Sequence, residues 1–401
     1  MSAGEGPRQI LPTTRTASIP FNRPFVTGRE YEYISQAIAN GHSAGNGPFT
    51  HGCQALLEQV TGAVRALLTT SCTDALEMCA LLLRLQPGDE VIVPSFTFVS
   101  TANAFVLLGA TPVFIDIRPD TLNLDESRLE ALITRRTKAI VPVHYAGVAC
   151  EMDPILEIAR RHGIVVVEDA AHGLFGHYRG RPLGSLGSLA TLSFHETKNV
   201  TCGEGGALLI NDPAYLERAE ILRDKGTNRS RFFRGQVDKY TWVDVGSSYL
   251  PSDLLAAFLY AQLEARAEVQ ARRRRVWHHY SDHLRDWAEP RGIRLPVVPS
   301  HCNQPYHMFY LLLPSLGARQ GLIEHLKARG ILSVFHYQPL HLSDMGRRLG
   351  GTVGQCPVTE DVTDRLLRLP FYNDLGVADQ EAVVAAIQAF DPPRSDRRAA
   401  P

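Results

Sequence analysis

What the sequence has little of limits the classes of protein that it can encode. Its seven cysteines are an odd number without paired metal-ligand spacing, so we interpret each as a small, reduced, partly buried side chain. No apolar run approaches the length of a membrane span, and the N-terminal residues lack the apolar stretch of a signal peptide. We therefore expect a cytoplasmic protein that neither spans a membrane nor binds a metal.

The chain also has no large excess of positive or negative charge. The formal net charge is −1, so neither a nucleic-acid partner nor an acidic tail is indicated. Within this balance lysine is scarce, because of 41 basic residues only five are lysines and the others are arginines. The lysines are Lys138, Lys198, Lys225, Lys239 and Lys327. Any chemistry that requires a primary amine therefore has few candidates.

The first half of the chain alternates between two kinds of segment. Short, β-branched runs bounded by turn residues predict buried strands at 90–94, 112–116, 139–143, 164–169 and 190–194. Helical stretches at 127–132 and 153–162 separate some of them. This alternation predicts an α/β fold with a mostly parallel central sheet and helices on both faces. In such sheets, ligands bind at the carboxyl ends of the strands.

The pattern of predicted helices and strands changes after about residue 250. Residues 252–289 predict one long helix with Ser252 as its N-cap, followed by short strands at 306–313 and 331–336 and a helix at 378–390. We expect a large domain at 19–250 and a smaller C-terminal α+β domain at 251–391. The remaining segments, 1–18 and 392–401, are expected to be disordered.

Two residues at predicted strand ends indicate chemistry. Asp169 ends the most apolar strand, where its carboxylate could hold a pyridinium nitrogen protonated; capping of the following turn is the alternative. Lys198 closes the next strand and precedes the glycine-rich segment 203–206, which offers the desolvated setting that an amine nucleophile needs. The other lysines lie in turns, polar loops or a charged helix, so Lys198 is the best amine candidate.

Two further segments are weaker signals on their own. The hydroxyl-rich turn 70–76 leads into a helix and suits an anion such as phosphate, although a simple helix cap is the alternative. The stretch 94–101 follows a strand and contains Phe96 and Phe98. One of these rings could stack on a flat cofactor, and the alternative is that both belong to the core.

These four segments, in this order, resemble the sugar aminotransferases of the DegT/DnrJ/EryC1/StrS family. Those are pyridoxal phosphate (PLP) enzymes of the type I, aspartate aminotransferase-like fold, and the resemblance extends over about 19–389. Its specific part is Asp-Ala-Ala-His from Asp169, then Ser-Phe-His-x-x-Lys-Asn from Ser193, then Gly-Glu-Gly-Gly. The resemblance implies that Lys198 carries PLP as a Schiff base, that Asp169 pairs with the pyridinium nitrogen, and that PLP alternates with pyridoxamine phosphate.

The resemblance also implies roles for other residues. Phe98 and His172 would flank the cofactor ring. The residues near its phosphate would be Ser71, Thr73 and Ser193, with Asp74 and His195 as neighbours of unassigned role. Some family members have His in place of Lys198 and remove a sugar hydroxyl, so Lys198 favours transamination. A homodimer with shared active sites is expected.

The segment 226–242 is similar to enzymes that aminate dTDP-4-keto-6-deoxy-D-glucose. L-Glutamate would supply the amino group and leave as 2-oxoglutarate, giving a dTDP-4-amino-4,6-dideoxyhexose for an antibiotic or a surface polysaccharide. Whether the new amine is equatorial (gluco) or axial (galacto) is left open. The candidates for lining the substrate cleft are Phe25, Asn46, Phe49, Arg229, Arg231, His336 and Tyr337, and a purely structural role is the alternative for each.

One position departs from the family pattern. Many members have Asn where this chain has Leu250, and that Asn reaches the cofactor phosphate of the partner subunit. Leucine cannot donate a hydrogen bond. Ser248 or Asn228 could supply the contact instead, and the sequence does not decide between them.

Other functions compete with this interpretation. A 3-keto-sugar aminotransferase of the same family, or an aminotransferase for amino acids only, would use the same lysine. Arginines that could bind a substrate α-carboxylate are too abundant to separate these alternatives. A non-catalytic nucleotide-sugar binding protein is the alternative from another class. Dinucleotide binding is disfavoured, because no Gly-x-Gly-x-x-Gly opens a helix after the first strand.

Overall fold

A computed structural model describes residues 19–391 of the chain. The segments 1–18 and 392–401, which are predicted to be disordered, lie outside the described residues. The strands are β1 Arg65–Thr69, β2 Glu90–Pro94, β3 Thr111–Ile115, β4 Thr137–Ile140, β5 Val165–Asp169, β6 His177–Tyr178, β7 Arg181–Pro182, β8 Leu189–Ser193, β9 Gly206–Ile210, β10 Cys302–Asn303, β11 Tyr310–Leu312, β12 Val334–Phe335 and β13 Leu366–Arg368. The helices are α1 Glu30–Ala39, α2 Pro48–Thr61, α3 Cys72–Leu82, α4 Ser100–Val106, α5 Met152–His162, α6 Leu216–Arg223, α7 Arg229–Phe233, α8 Asp253–Glu264, α9 Arg266–Ala288, α10 Leu316–Lys327, α11 Asp344–Arg348, α12 Pro357–Arg365 and α13 Val377–Gln388.

The central sheet has seven strands in the order β1-β9-β8-β5-β4-β2-β3. Strand β9 runs antiparallel to β1 and β8, whereas the other neighbouring pairs are parallel. Leu67 packs on one face of the sheet with Leu76 of α3, and its neighbour Leu68 packs on the other face with Leu57 of α2. Alternate side chains of β1 therefore pack against two different helical layers, one on each face of the sheet. The predicted α/β fold with a mostly parallel sheet is confirmed.

Helix α5 and strand β5 show how the local sequence builds this core. The buried side chains of α5 include Met152, Ile155 and Ile158, which recur at helical spacing and form one apolar face. The helix ends at Gly163, which takes the left-handed conformation (φ 65°) that a residue without a Cβ adopts at little cost. The chain then enters β5, whose residues are almost entirely buried. Asp169 is thereby placed at the carboxyl end of a central strand.

The predicted helix 252–289 is wrong in one respect, because it is two helices. Ser252 caps α8 as predicted, its hydroxyl accepting from the Leu255 amide at 3.4 Å. The helical conformation is interrupted at Ala265 (ψ 9°), and α9 starts at the next residue. Helix α8 packs against α1 and α2, whereas α9 packs against α13, so the chain changes direction between two cores. Alanine favours helices, so its presence gives no warning of the break.

Other differences concern short segments. The stretch 127–132 forms two 3₁₀ turns and not an α-helix, and the strands predicted at 306–313 and 331–336 shrink to β11 and β12. The strand predicted at 139–143 ends at Ile140, although Val143 still forms an isolated bridge to Asp169. Strands β1 and β9 were not predicted. Strand β9 is nevertheless flanked by turn residues, with Gly203 and Gly205 before it and Asn211-Asp212-Pro213 after it.

The C-terminal part has its own core. Side chains of α9, α10, α13, β11 and β13 pack together, with Ile19 from the start of the described chain added to them. Strands β11, β13 and β12 form an antiparallel sheet in that order. The division at residue 250 stays a prediction, and α8 just after it contributes to a core shared with α2 and β1.

Three observations concern the absences noted in the sequence. All seven cysteines are free thiols, five of them buried. Between residues 19 and 391, no helix is long and apolar enough to cross a membrane, and no cluster of three or more side chains could hold a metal ion.

A buried carboxylate holds the loop before β8 in place. Glu168 of β5 is fully buried and accepts hydrogen bonds from the amides of Gly184 (2.9 Å), Leu186 (2.6 Å) and Gly187 (2.7 Å). Its Oε2 also lies 2.9 Å from Nε2 of His144, itself fully buried. Because successive side chains of a strand alternate, Glu168 points to the opposite side of the sheet from Asp169. The Gly-Ser-Leu-Gly segment thus binds an internal carboxylate.

We predict that Glu168→Ala destabilises the protein by about 3–5 kcal/mol, because it leaves several buried donors without an acceptor. The urea midpoint of unfolding, followed by circular dichroism, should fall accordingly. The matched control is Glu157→Ala, which removes an exposed pair with Arg160 and should leave the midpoint nearly unchanged. Equal midpoints for the two variants would contradict the structural role of Glu168.

Candidate functional site

Lys198 lies in the loop that connects β8 to β9. Its backbone amide donates to the His195 carbonyl at 2.9 Å, and Nζ makes no hydrogen bond with any residue from 19 to 391. Burial lowers the pKa of Lys198 to about 8; Cys72 and Asp169 oppose this shift, and Arg368 adds to it. The side chain lines a small pocket with Ala171, His172, Leu174, Ser193, Asn199, Val200 and His307. Lys198 is thus a desolvated amine whose pKa is close to neutrality.

Asp169 ends β5, the strand next to β8, and its carboxylate is fixed by two donors. Oδ2 accepts from the Thr101 hydroxyl at 2.7 Å, and Oδ1 accepts from the Ala171 amide at 3.1 Å. The Thr101 hydroxyl lies 2.8 Å from that of Thr97, so the arrangement continues into the loop after β2. The hydrogen bond from the Ala171 amide caps the turn after β5, which is the alternative role given above for Asp169. The hydrogen bond from Thr101 comes from α4, so the sequence near Asp169 could not predict it.

His172 stacks on a second imidazole. Its ring centroid lies 4.2 Å from that of His307, with 20° between the planes. His307 is oriented by Asn199, whose Oδ1 lies 2.9 Å from Nδ1 of His307 and whose amide donates to the Pro305 carbonyl at 2.7 Å. Burial holds the pKa of both imidazoles well below their usual range. Nδ1 of His172 is buried without a partner among the described residues. The stack is therefore uncharged near pH 7, with one polar atom free for a ligand.

The hydroxyl-rich turn begins α3, as predicted. Ser71 is the N-cap, and its hydroxyl accepts from the Asp74 amide at 3.0 Å. The Thr73 hydroxyl lies 2.8 Å from that of Ser100, while the Asp74 carboxylate accepts from Thr70. The cap considered as an alternative is therefore present. The phosphate role of Ser71 and Thr73 stays a prediction, which the helix N-terminus at this position supports.

A glycine lets this helix approach the lysine loop. A Cβ on Gly206 would lie 2.4 Å from the Cys72 amide nitrogen and 2.4 Å from the Ser71 carbonyl carbon, closer than real side chains come. Gly203 has φ 85°, a left-handed conformation that favours glycine. The Gly-Glu-Gly-Gly segment therefore allows close backbone packing between the start of α3 and the start of β9.

Ser193 ends β8, and His195 lies in the same loop as Lys198. The Ser193 hydroxyl accepts from the His195 amide at 3.5 Å. Nδ1 of His195 lies 3.0 Å from the Thr197 hydroxyl, and its Nε2 lies 3.6 Å from the Glu204 carboxylate. His195 therefore stabilises the loop that carries Lys198.

The two phenylalanines of 94–101 have different surroundings. Phe96 is 1% exposed and packs against Tyr145, whereas Phe98 is 58% exposed. The ring of Phe98 lies 6.3 Å from that of Tyr337. Phe96 is thus a core residue, and Phe98 is free to stack on a bound ring.

His336 and Tyr337 come to the lysine site, as the cleft prediction requires. Nδ1 of His336 lies 3.0 Å from the Tyr145 hydroxyl, and its ring centroid lies 6.3 Å from that of His172. Burial lowers the pKa of His336, and the charge of Lys198 contributes to the shift. Both residues follow β12 in the C-terminal part, which therefore supplies one wall of the site.

Two aromatic candidates pack with the core instead, where Phe25 is buried and Phe49 is half-buried. Phe25 is 7% exposed, and its carbonyl accepts from Gln262 at 2.9 Å. Phe49 packs in an aromatic cluster with Tyr33 (5.4 Å) and Tyr260 (5.8 Å). For both, the structural alternative fits the described residues better than a place in the cleft, because Phe49 packs against α1 and α8 and the ring of Phe25 lies under Arg272 of α9.

The polar candidates are also engaged elsewhere. Oδ1 of Asn46 accepts from the buried guanidinium of Arg223 at 2.6 Å, so this amide serves an internal contact. Arg229 and Arg231 lie on the short helix α7, half exposed, with Arg231 paired to Glu217 at 3.0 Å. The described chain does not bring these two arginines into contact with the lysine pocket.

The two replacements considered for the missing Asn differ in their surroundings. Oδ1 of Asn228 accepts from the Thr241 amide at 2.7 Å and so closes its own loop. Ser248 is exposed, directly before the buried Tyr249. Of the two, Ser248 is the side chain that is free to reach another subunit.

Three residues of the site escaped the sequence analysis: Thr101, Tyr145 and His307. Thr101 lies in the segment 94–101 already singled out, and Tyr145 follows a predicted strand. For both, the position in the sequence relative to a predicted strand was therefore a signal. His307 had none, because it comes from a distant segment and reaches His172 only through tertiary packing.

The arrangement fits PLP. The adjacent strands β8 and β5 bring a near-neutral amine and a fixed carboxylate to the same edge of the sheet, and an uncharged imidazole with a free Nδ1 lies beside them. An exposed aromatic ring and a helix N-terminus are available for the flat ring and the phosphate. This fold and this site define a PLP-dependent enzyme of type I fold.

Comparison with known proteins specifies the class. Residues 26–388 match the DegT/DnrJ/EryC1/StrS aminotransferase family, and the chain belongs to this family. The fold is similar to that of S. venezuelae DesV in complex with a ketimine intermediate, with a TM-score of 0.84, 32% identity and coverage of 93% of this chain and 98% of that one. It is also similar to the PLP form of Spr1654 from Streptococcus pneumoniae, described as a sugar aminotransferase, with a TM-score of 0.85, 27% identity and coverage of 92% and 97%.

A third related structure is the aminotransferase TlmJ from Streptoalloteichus hindustanus, with a TM-score of 0.84, 30% identity and coverage of 92% of this chain and 98% of that one. Spr1654 is known in a PMP form as well as a PLP form. The expected cofactor is confirmed at the level of the family, which is PLP-dependent. The chain is therefore an aminotransferase.

We predict that Lys198 in the cofactor-free protein is labelled by PLP and borohydride with a pH midpoint near 8. Below the midpoint the free-amine fraction, and with it the rate, should fall about tenfold per pH unit. Peptide mass mapping separates Lys198 from exposed Lys327, which serves as an internal comparison. Lys198→Ala should give a colourless protein. A coloured Lys198→Ala protein, or a wild type that stays colourless with PLP, would contradict the assignment.

Proposed function

We propose that this aminotransferase moves the amino group of L-glutamate to C4 of dTDP-4-keto-6-deoxy-D-glucose. The products are 2-oxoglutarate and a dTDP-4-amino-4,6-dideoxyhexose. The observation that carries the transamination is the desolvated Lys198 beside the fixed carboxylate of Asp169. The similarity of 226–242 to enzymes of this specificity, and a sugar aminotransferase among the similar structures, support the sugar substrate.

Lys198 would hold the cofactor and then act as the proton carrier. Its pKa of about 8 makes the free amine accessible near neutral pH, so Nζ can take the proton from Cα of the donor and deliver it to C4′ of the cofactor. The oxygens of Asp169 are already engaged by Thr101 and Ala171, so this carboxylate is held in one orientation. Asp169 would keep the pyridine nitrogen protonated.

The bound PLP supplies an electron sink for the charge left when Cα loses its proton. The stack of His172 and His307 is uncharged, so the positive charge near the ring would come from the protonated pyridine nitrogen that Asp169 holds. The stack also covers one side of the pocket with apolar ring surface and so excludes water there. Phe98 is free to cover the other face of the ring.

A large substrate needs an exposed entrance, and the segment 226–242 offers one. Tyr240 is 50% exposed and Trp242 is 78% exposed, and α7 presents Arg229 and Arg231 beside them. Aromatic rings can stack on a nucleobase, and guanidinium groups bind phosphates. We propose that this segment binds the nucleotide in the homodimer, at the site of the neighbouring subunit.

Product analysis tests the substrate directly. Incubation with L-glutamate and dTDP-4-keto-6-deoxy-D-glucose should give 2-oxoglutarate and one aminosugar, and NMR should show the new amine at C4. An amine at C3 would favour the 3-keto-sugar alternative, and turnover of amino acids alone would contradict a sugar acceptor. The ring-proton couplings also decide between the equatorial and axial amines.

Asp169→Asn tests the role of the carboxylate. Because Asn cannot supply a negative charge, the conversion of the PLP form by glutamate should slow on the order of 10²–10³-fold in stopped-flow absorbance. The cofactor should still bind covalently, since Lys198 is intact. Asp286→Asn, which changes an exposed carboxylate on α9, is the control and should leave the rate unchanged. An unchanged rate in Asp169→Asn would refute this role.

A further inference from the structure

Ser95, His341 and Glu360 form a chain of hydrogen bonds that the site described above does not include. Nδ1 of His341 lies 2.6 Å from the Ser95 hydroxyl, and its Nε2 lies 3.0 Å from the Glu360 carboxylate. The Ser95 hydroxyl also accepts from the His341 amide at 3.3 Å, so its own hydrogen is free to bond Nδ1. Nε2 then donates to Glu360, and the imidazole connects the other two side chains.

Burial shows what this chain of bonds can do. A serine, a histidine and an acid in this order also form the catalytic triad of serine hydrolases. Here Ser95 and His341 are both 0% exposed, so a substrate cannot reach the hydroxyl. Glu360 is partly exposed and also accepts from the Gly354 amide at 2.8 Å, which fixes its orientation. The three residues therefore hold segments of the chain in place and do not perform hydrolysis.

Ser95 joins the end of β2 to a loop of the C-terminal part. Its amide donates to the Ile115 carbonyl of β3 at 3.0 Å, so its backbone is anchored to the central sheet. Its carbonyl accepts from the Leu340 amide at 3.0 Å. Together with the two contacts of its hydroxyl, Ser95 bonds three times to Leu340 and His341. The loop that carries His341 is therefore fixed at the carboxyl end of β2.

Both segments that meet here continue into the candidate site. On the β2 side, the Thr101 hydroxyl donates to Asp169 at 2.7 Å, and Phe98 is exposed for a bound ring. On the C-terminal side, Tyr337 lies four residues before His341, and its ring lies 6.3 Å from that of Phe98. His341 is thus at the point where two walls of the site are joined.

A second contact between the same parts of the chain does not continue into the site. Asp116, directly after β3, accepts from the amides of Val358 and Thr359, both at 2.9 Å, and from the Thr359 hydroxyl at 2.8 Å. It therefore caps the start of α12. Asp116 and Thr359 are as deeply buried as Ser95 and His341. This contact is the natural comparison for a role in stability alone.

We propose that His341 is a positioning residue of the aminotransferase. Through Ser95 it fixes the segment 95–101, and with it the hydrogen bond to Asp169 and the ring of Phe98. This inference rests on the proposed function, in which Asp169 and Phe98 hold the cofactor ring. The affinity and the orientation of the cofactor should therefore depend on the contact between His341 and Ser95 more than on the contact with Glu360.

Two substitutions of His341 each keep one of its contacts. In His341→Asn, Oδ1 replaces Nδ1 as the acceptor for Ser95, whereas in His341→Gln the side-chain amide replaces Nε2 as the donor to Glu360. We expect His341→Gln to raise the dissociation constant of PLP about fivefold to tenfold, because one buried hydrogen bond is lost and the segment is less ordered before binding. His341→Asn should raise it less than about twofold, since the contact with Ser95 is kept.

Two further measurements separate positioning from stability. Visible circular dichroism of the bound cofactor should change in His341→Gln and stay like the wild type in His341→Asn. In the cofactor-free protein, hydrogen exchange of the amides at 95–101 should speed up in His341→Gln alone. Thr359→Val is the matched control, because it removes a buried hydroxyl from Asp116. It should lower the urea midpoint but leave the PLP affinity, the dichroism and the exchange at 95–101 unchanged.

The outcomes separate the two claims. Wild-type PLP affinity and dichroism in His341→Gln, or equal losses in His341→Gln, His341→Asn and Thr359→Val, would overturn the role of His341. If His341→Gln does not fold, Ser95→Ala decides by the same measurements, because a changed dichroism with weaker PLP binding supports the proposal and wild-type values contradict it. A wild type that gains no visible absorbance with PLP would instead refute the proposed function.

Discussion

The desolvation of one amine opposite one fixed carboxylate is the constraint on which the rest of this site depends. Removing Lys198 from water lowers its pKa to about 8, and the carboxylate of Asp169 opposes part of this shift. The hydroxyl of Thr101 and the amide of Ala171 satisfy that carboxylate without neutralising it. The two groups come together because β5 and β8 are adjacent parallel strands that end at the same edge of the sheet.

Charge around the pocket follows from the same requirement. The imidazoles of His172 and His307 are stacked and uncharged, so they cover the pocket without adding positive charge near Lys198.

Local signals predicted much of the fold and of the site. Short β-branched runs located β2, β3 and β5, and strand-end positions singled out Asp169 and Lys198. Local sequence signals failed where tertiary packing alone decides the structure. Ala265 breaks a helix because two cores diverge there, although alanine favours helices. Phe25 and Phe49 looked like cleft residues, yet Phe25 is buried in the core and Phe49 is half-buried against it, since apolar rings near a loop suit either place equally well.

The sequence by itself determined the alternation of strands and helices, the choice of Lys198 among five lysines and the family resemblance. These depend on residue types at short spacing, which local conformational preferences and backbone periodicity translate into structure. Tertiary structure alone decided that Thr101 holds Asp169 and that His307 supports His172. Each of those contacts joins segments distant in sequence, so burial and the geometry of bonding, and not residue type, set their roles.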